Sequence, residues 1–183
     1  SSPVQMGTDD TWPTYMDNGA YACNAVKSDN TLWVWGSDSY GQLGVNGLGA
    51  QSSPFQIPGS WKASSQGNYN AGAIKTDGTL WAWGLNQYGQ LGHNSRTYYS
   101  SPVQVPGTTW SKLGGTDATN GAIKTDGTLW AWGSKGSDGA LGQNQAPAQG
   151  TDVSSPIQIP GTNWTDIGGA SEGAGTAFVL RNI

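Results

Sequence analysis

The stretch that decides the fold is Lys75-Thr76-Asp77-Gly78-Thr79-Leu80-Trp81-Ala82-Trp83-Gly84-Leu85-Asn86-Gln87-Tyr88-Gly89-Gln90-Leu91-Gly92. Asp77-Gly78 separates two apolar runs, residues 71–75 and 80–84. In that setting Asp-Gly signals a tight β-hairpin, whose two-residue turn requires positive φ at both positions. Leu80-Trp81-Ala82-Trp83 alternates with period two, so Trp81 and Trp83 share one sheet face. A lone sheet cannot bury that face. The segment therefore belongs to an assembly of stacked sheets.

Reading outward, every part of it recurs. Leu-Trp-x-Trp-Gly stands at residues 32–36, 80–84 and 129–133. The turns before it are Asp29-Asn30, Asp77-Gly78 and Asp126-Gly127, and the apolar strands before those are residues 22–27, 71–75, 121–124 and 177–181. A Gly-x-Leu-Gly loop follows at 41–44, 89–92 and 139–142. Ser-Ser-Pro appears four times, at Pro3, Pro54, Pro102 and Pro156, each followed by an apolar residue and Gln. A single Trp comes next: Trp12, Trp61, Trp110 and Trp164, at spacings of 49, 49 and 54. About 49 residues carrying four strand candidates is the size of a β-propeller blade. The expected fold is all-β, one repeat domain over residues 1–183, with repeats near 1–51, 52–99, 100–153 and a partial 154–183.

Composition agrees. The 183 residues include 29 Gly and 10 Trp, with only 8 basic and 12 acidic side chains. Long helices want more Leu, Glu and Lys, and disordered chains are poor in aromatics. With few aliphatic residues, the tryptophans are the largest apolar area available, so they are expected to be core between blades rather than an exposed stacking row. The net charge is −4 and the cations are scattered singly, which disfavours a nucleic-acid backbone or an anionic membrane as partner. No apolar run approaches membrane-span length. Cys23 is alone, so it is expected to be a small buried side chain. No signal-peptide pattern opens the chain, and Ser1 is read as following processing or beginning a fragment.

The run from Lys75 to Gly92 resembles the repeat of the regulator of chromosome condensation family, and the resemblance recurs along the whole chain. It implies a β-propeller, seven-bladed in that family. The wording Ser-Ser-Pro-Val-Gln-Val-Pro-Gly-Thr-Thr-Trp at 100–110 and Lys-Thr-Asp-Gly-Thr-Leu-Trp-Ala-Trp-Gly at 75–84 is similar to marine bacteriophage and bacterial surface members. This sequence departs from the family in the third loop, residues 134–142, which is longer by one residue and lacks Tyr and Gln. Tyr69-Asn70-Ala71-Gly72 and Thr119-Asn120-Gly121 stand where the family has His-Ser. About fifteen strands are expected, three and a half blades. That leaves a fragment of a longer propeller, half of a propeller completed by another copy, or a four-bladed ring; the first two are favoured.

Catalytic constellations are not expected. His93 is the one histidine and reads as a solvated loop residue. Asp77 and Asp126 read as turn residues. Glu172 and scattered aspartates make a weak carboxylate pair, and Asp9, Asp10 and Asp17 lack calcium-loop spacing. No metal or other cofactor is expected. The candidate contact residues are the loop aromatics Tyr40 and Tyr88, at equivalent loop positions, and Tyr98 and Tyr99, which lie outside the repeat consensus. Residues 145–152 are a further insertion. The expected function is a non-enzymatic binding or structural propeller, most simply a phage tail or fibre accessory or a bacterial surface component. Its expected partners are protein (other subunits or its own copies) and glycan. By resemblance the alternative is a secreted inhibitor or regulatory module, since the family includes a β-lactamase inhibitor and a nucleotide exchange factor.

Overall fold

The computed structural model describes residues 11–13, 16–136, 140–142, 152–168 and 179–182. The first Ser-Ser-Pro segment, the 145–151 part of the insertion, and Glu172 lie outside them. Among the described residues there are fourteen strands and no helix. In chain order they are β1 (Asp17–Asn18), β2 (Ala22–Val26), β3 (Leu32–Gly36), β4 (Gln51–Ile57), β5 (Trp61–Gln66), β6 (Asn70–Lys75) and β7 (Leu80–Gly84). There follow β8 (Tyr99–Gln104), β9 (Trp110–Gly115), β10 (Thr119–Lys124), β11 (Leu129–Gly133), β12 (Val153–Ile159), β13 (Trp164–Gly168) and β14 (Val179–Asn182).

They form three four-stranded antiparallel meanders, β1–β4, β5–β8 and β9–β12, and a two-stranded β13–β14. Each sheet is a run of consecutive strands, as a propeller blade requires. The first strands β1, β5, β9 and β13 lie side by side and so face the propeller axis. Each of the three described Ser-Ser-Pro strands, β4, β8 and β12, is the outermost strand of the blade that precedes it. Its Pro54, Pro102 or Pro156 costs no ladder bond on that open edge.

The faces of each blade differ, and this difference holds the stack together. One face carries Trp and Ala, the other Leu, Ile and Val. Trp61, Ala71, Ala73 and Trp83 of the second blade pack on Leu32, Val34, Leu43 and Ile57 of the first. Trp110, Ala122 and Trp132 of the third pack on Ile74, Leu80, Leu91 and Val105 of the second. Ile167, with half-buried Trp164, closes on Ile123, Leu129, Leu141 and Ile159 of the third. The expected inter-blade role of Trp61, Trp83, Trp110 and Trp132 therefore holds.

Two local devices differ from the sequence reading. The hairpins do not use two-residue turns. Lys75 N–H donates to Thr79 O at 2.9 Å and Gly78 N–H to Lys75 O at 2.9 Å, leaving a three-residue loop, 76–78. Only its last residue has positive φ: Asn30 at 66°, Gly78 at 84° and Gly127 at 76°. This is a type I turn closed by a left-handed bulge residue, which is why Asn30 can replace glycine there. The second device is a register shift between the third and fourth strands, flanking Trp35, Trp83 and Trp132 in the three blades. A bulge re-aims the side chain it carries. Here the extra residues lie in the Ser-Ser-Pro strands β4, β8 and β12, opposite Trp35, Trp83 and Trp132, and the Trp strands keep plain alternation.

Candidate functional site

Three structural clamps repeat and must be set apart from anything available for binding. Trp83 Nε1–H donates to Gln42 O at 3.0 Å, and Trp132 Nε1–H to Gln90 O at 2.8 Å. The Gly-x-Leu-Gly loop of each blade thus holds the Trp plug of the next. At the opposite hairpin end, Asp77 Oδ1 accepts from Thr79 N–H at 2.9 Å and from Thr79 Oγ1–H at 2.7 Å. Thr79 Oγ1 in turn accepts from Trp81 Nε1–H at 2.9 Å. These bonds hold the exposed Asp77 carboxyl below its usual range, as the matching Thr128 bonds do for Asp126. Lys75 Nζ then lies 3.9 Å from the Trp81 ring centre and 5.2 Å from that of Trp61. Lys27 and Lys124 repeat the sandwich with Trp12 and Trp33, and with Trp110 and Trp130. These lysines are cation–π fillers, a role the sequence reading missed.

What remains exposed and grouped is a row of tyrosines across the first two blades. Tyr21 precedes β2 and Tyr69 precedes β6, at matching positions. Their rings stack at 5.5 Å with 25° between planes. Tyr40, in the loop after β3, meets Tyr69 edge-on at 5.1 Å, and Tyr98, before β8, meets Tyr40 at 6.4 Å. Tyr21, Tyr40 and Tyr98 are 53%, 41% and 46% exposed. The phenol of Tyr69 is pushed above its usual range, first by its hydrogen bond with Tyr21, then by burial and its neighbours Tyr40 and Asp117.

Beneath the row, a polar ladder crosses the blades. Ala20 N–H donates to Asn68 Oδ1 at 2.5 Å. Asn68 N–H and Nδ2–H donate to the two Asp117 carboxylate oxygens, each at 2.5 Å. Asn70 Nδ2–H and Gln90 Nε2–H donate to Asp117 O at 2.7 and 3.1 Å. The inter-strand turns of three blades are thereby fixed to one another. A tyrosine row on such a base is preorganised, which lowers the ordering cost of binding.

Of the four residues expected from sequence, the structure joins Tyr40 and Tyr98 and leaves the other two outside the row. Tyr88 is exposed in the equivalent loop of the second blade, with its N–H on Gln90 Oε1 at 2.9 Å. Tyr99 is half-buried in β8, its ring 5.3 Å from His93. Tyr21 and Tyr69 were missed. Their signal was present, since both end the segment before an apolar strand, but neither is in a loop that departs from the repeat.

His93 is not a solvated loop residue. Its Nε2 lies 2.9 Å from Val103 O, and its buried Nδ1 has no partner. Burial holds the imidazole below its usual range, so it is the neutral ring that is accommodated. Cys23 is half-buried rather than buried, and partial burial pushes its thiol up. Asp17 sits in an axial groove of about 990 Å³, lined also by Lys62, Ser64, Gln66, Lys112 and Asp166. Burial pushes its carboxyl up, against a hydrogen bond from Ser64. Among the described residues no three His, Cys, Asp or Glu side chains gather as a metal site. No helix there is long and apolar enough to cross a membrane.

The sheets and their stacking are those of a β-propeller. Residues 77–112 match the regulator of chromosome condensation (RCC1) repeat, and the blades on either side repeat its pattern. The chain is similar to Prp20p from Saccharomyces cerevisiae, with a TM-score of 0.72 and 20% identity over 86% of this chain and 41% of that one. It is similar to human WBSCR16, with a TM-score of 0.68 and 23% identity over 82% of this chain and 40% of that one. Yeast RCC1 (Prp20) bound to Kap60 gives a TM-score of 0.73 and 16% identity over 93% of this chain and 42% of that one. At these identities the likeness is one of fold. The chain spans about two fifths of the length of these structures. No curated protein matches the sequence.

Proposed function

We propose that this propeller is a non-enzymatic binding module whose contact surface is the row Tyr21, Tyr69, Tyr40 and Tyr98. The row itself is the observation that carries the reading. Tyrosine offers a large flat apolar area with a polar tip at small entropic cost, the chemistry of a protein or glycan contact. The inter-blade tryptophans Trp61, Trp83, Trp110 and Trp132 are buried, so these tyrosines, not the tryptophans, are the grouped aromatic surface on offer. The module is assigned to a phage particle, as a tail or fibre accessory, or to a bacterial surface. Its few charges, its Gly turns and the wording of its repeats support that setting.

A second reading, a regulatory protein-binding propeller, draws support from the fold neighbours. Prp20p is described with binding properties to Gsp1p and histones, and yeast RCC1 as bound to Kap60. The double variant Tyr40→Ala/Tyr98→Ala tests the surface. It should fold with a near-unchanged melting temperature and lose at least tenfold in affinity for whatever glycan or envelope protein the wild type binds on arrays and envelope preparations. Equal binding by both proteins would remove the row from the contact. Immunolabelling of particles and cells tests the setting, and label confined to the cell interior would sink it.

A further inference from the structure

The loops after β3 and β7 are built alike, with one difference at their anchor. In the second blade the anchor is Asn86. Its Oδ1 accepts from Leu91 N–H at 2.9 Å, and its Nδ2 donates to Ser95 O at 3.0 Å and Thr97 O at 2.9 Å. One side chain thus clamps both limbs of the loop. In the first blade the equivalent residue is Asp38, 2% exposed. Its Oδ1 accepts from Leu43 N–H at 2.8 Å, as Asn86 does from Leu91. Its Oδ2 is buried and makes no hydrogen bond of good geometry, the Gly49 N–H being the one loop donor that acts on the carboxyl. It stands where the Asn86 amide donates, and an ionised carboxylate cannot donate.

The loop it should clamp differs in a matching way. Gly47 and Gly49 replace Ser95 and Thr97, and a Cβ at either would meet nothing within 4 Å. Their peptide units have room to turn a carbonyl or an N–H toward the anchor. Leu48 between them is 72% exposed, and Asn46 N–H ties the loop to Ser100 O at 2.7 Å, beside Tyr98 and Tyr99.

We propose that residues 45–50 form a proton-operated loop anchored by Asp38. Protonated, the Asp38 carboxyl donates its O–H to a loop carbonyl as Asn86 does one blade on. Ionised, it can only accept, from the Leu43 and Gly49 N–H groups, so the bond to a loop carbonyl is lost and the loop re-seats. Burial pushes the Asp38 carboxyl up, against the N–H groups of Leu43 and Gly49. Those are the groups that meet it; among the described residues no charged side chain contributes to the shift. With the folded value raised above 3.8, the clamp is fully present below that ordinary value and is lost as pH rises through the folded one. Because Tyr40 is two residues from Asp38, the loop would also regulate the tyrosine row. That consequence rests on the row being the contact surface; the clamp itself does not.

Backbone amide NMR from pH 3.5 to 8 on the wild type, Asp38→Asn and Asn86→Asp tests this. In the wild type the Gly47 and Gly49 amides should titrate together with a midpoint above 3.8. Asp38→Asn should abolish that titration and hold the loop in its low-pH position at every pH. Asn86→Asp should create a new titration at Ser95 and Thr97. Gly47 and Gly49 amides that do not move, or that still titrate in Asp38→Asn, would overturn the proposal. So would an Asp38→Asn variant that does not fold, since the site would then need its carboxylate. Binding measured at both pH limits separates the two readings. A titrating loop with unchanged binding leaves the clamp standing and counts against the row as the surface it regulates.

Discussion

Gly84 shows how a single residue sets the blade. Its φ is +99°, and a Cβ there would sit 2.4 Å from Tyr69 O. That carbonyl already accepts from Leu85 N–H at 2.8 Å, so it cannot move freely. Gly84→Ala should cost roughly 1–3 kcal/mol from backbone strain alone, before the contact is counted, read as a lower urea midpoint. Thr79 makes a smaller contribution. Thr79→Ala breaks the Asp77 to Trp81 relay on an exposed turn, with an expected loss of about 0.5–1.5 kcal/mol. His93 supplies the acid limit. Its folded value lies below the ordinary 6.5, so the folded state binds the proton less tightly than the unfolded one. Its stability term is present above 6.5 and is lost as pH falls through the folded value. His93→Gln should flatten that limb of a melting-temperature profile, and an unchanged limb would show that other groups carry it.

At the scale of the element, the turn and the strand were legible to different degrees. Two strands around Asp77-Gly78 could be read because alternation has period two whatever surrounds it. The turn type could not, because a three-residue loop differs from a two-residue one by where Lys75 and Thr79 pair, a matter of register. The bulges in β4, β8 and β12, opposite Trp35, Trp83 and Trp132, were likewise hidden, since strand propensity carries no mark of the partner strand's stagger. The lysine sandwich belongs to this scale as well, joining the end of β6 to the starts of β5 and β7. Lys75→Met should cost about 0.5–2 kcal/mol, while Lys75→Arg should keep most of the stability because guanidinium also stacks on aromatic faces. Equal losses in the two variants would mean that packing, not charge, matters there.

For the whole molecule, stability should be a chain of nearest-neighbour terms, since among the described residues each apolar cluster joins one blade to the next. Trp83→Ala should cost about 3–5 kcal/mol. Its damage should stay local: hydrogen-exchange protection should fall in β2, β3 and β6 and survive in β10 and β11. Trp132→Ala should do the reverse, sparing β2 and β3. Global loss of protection in either variant would contradict independent interfaces. The candidate site also belongs to this scale. Tyr40 and Tyr98 are 58 positions apart in the chain and meet only because the loop after β3 reaches the next blade's outer strand. Loop aromatics could be picked from the sequence as candidates, but their grouping could not.

The sequence by itself determined the repeat, the four strands within it and the placing of each Trp pair on one sheet face. Those follow from spacing and alternation, which are local properties of the chain. Only the tertiary structure decided which tyrosines converge on one surface and which stand apart, because that depends on the blade that comes next. Trp83 and Tyr40 are both large, aromatic and placed by the repeat. The apolar face of the preceding blade and a carbonyl acceptor on Gln42 bury the first, and the second is left at the surface where Tyr69 and Tyr98 converge on it.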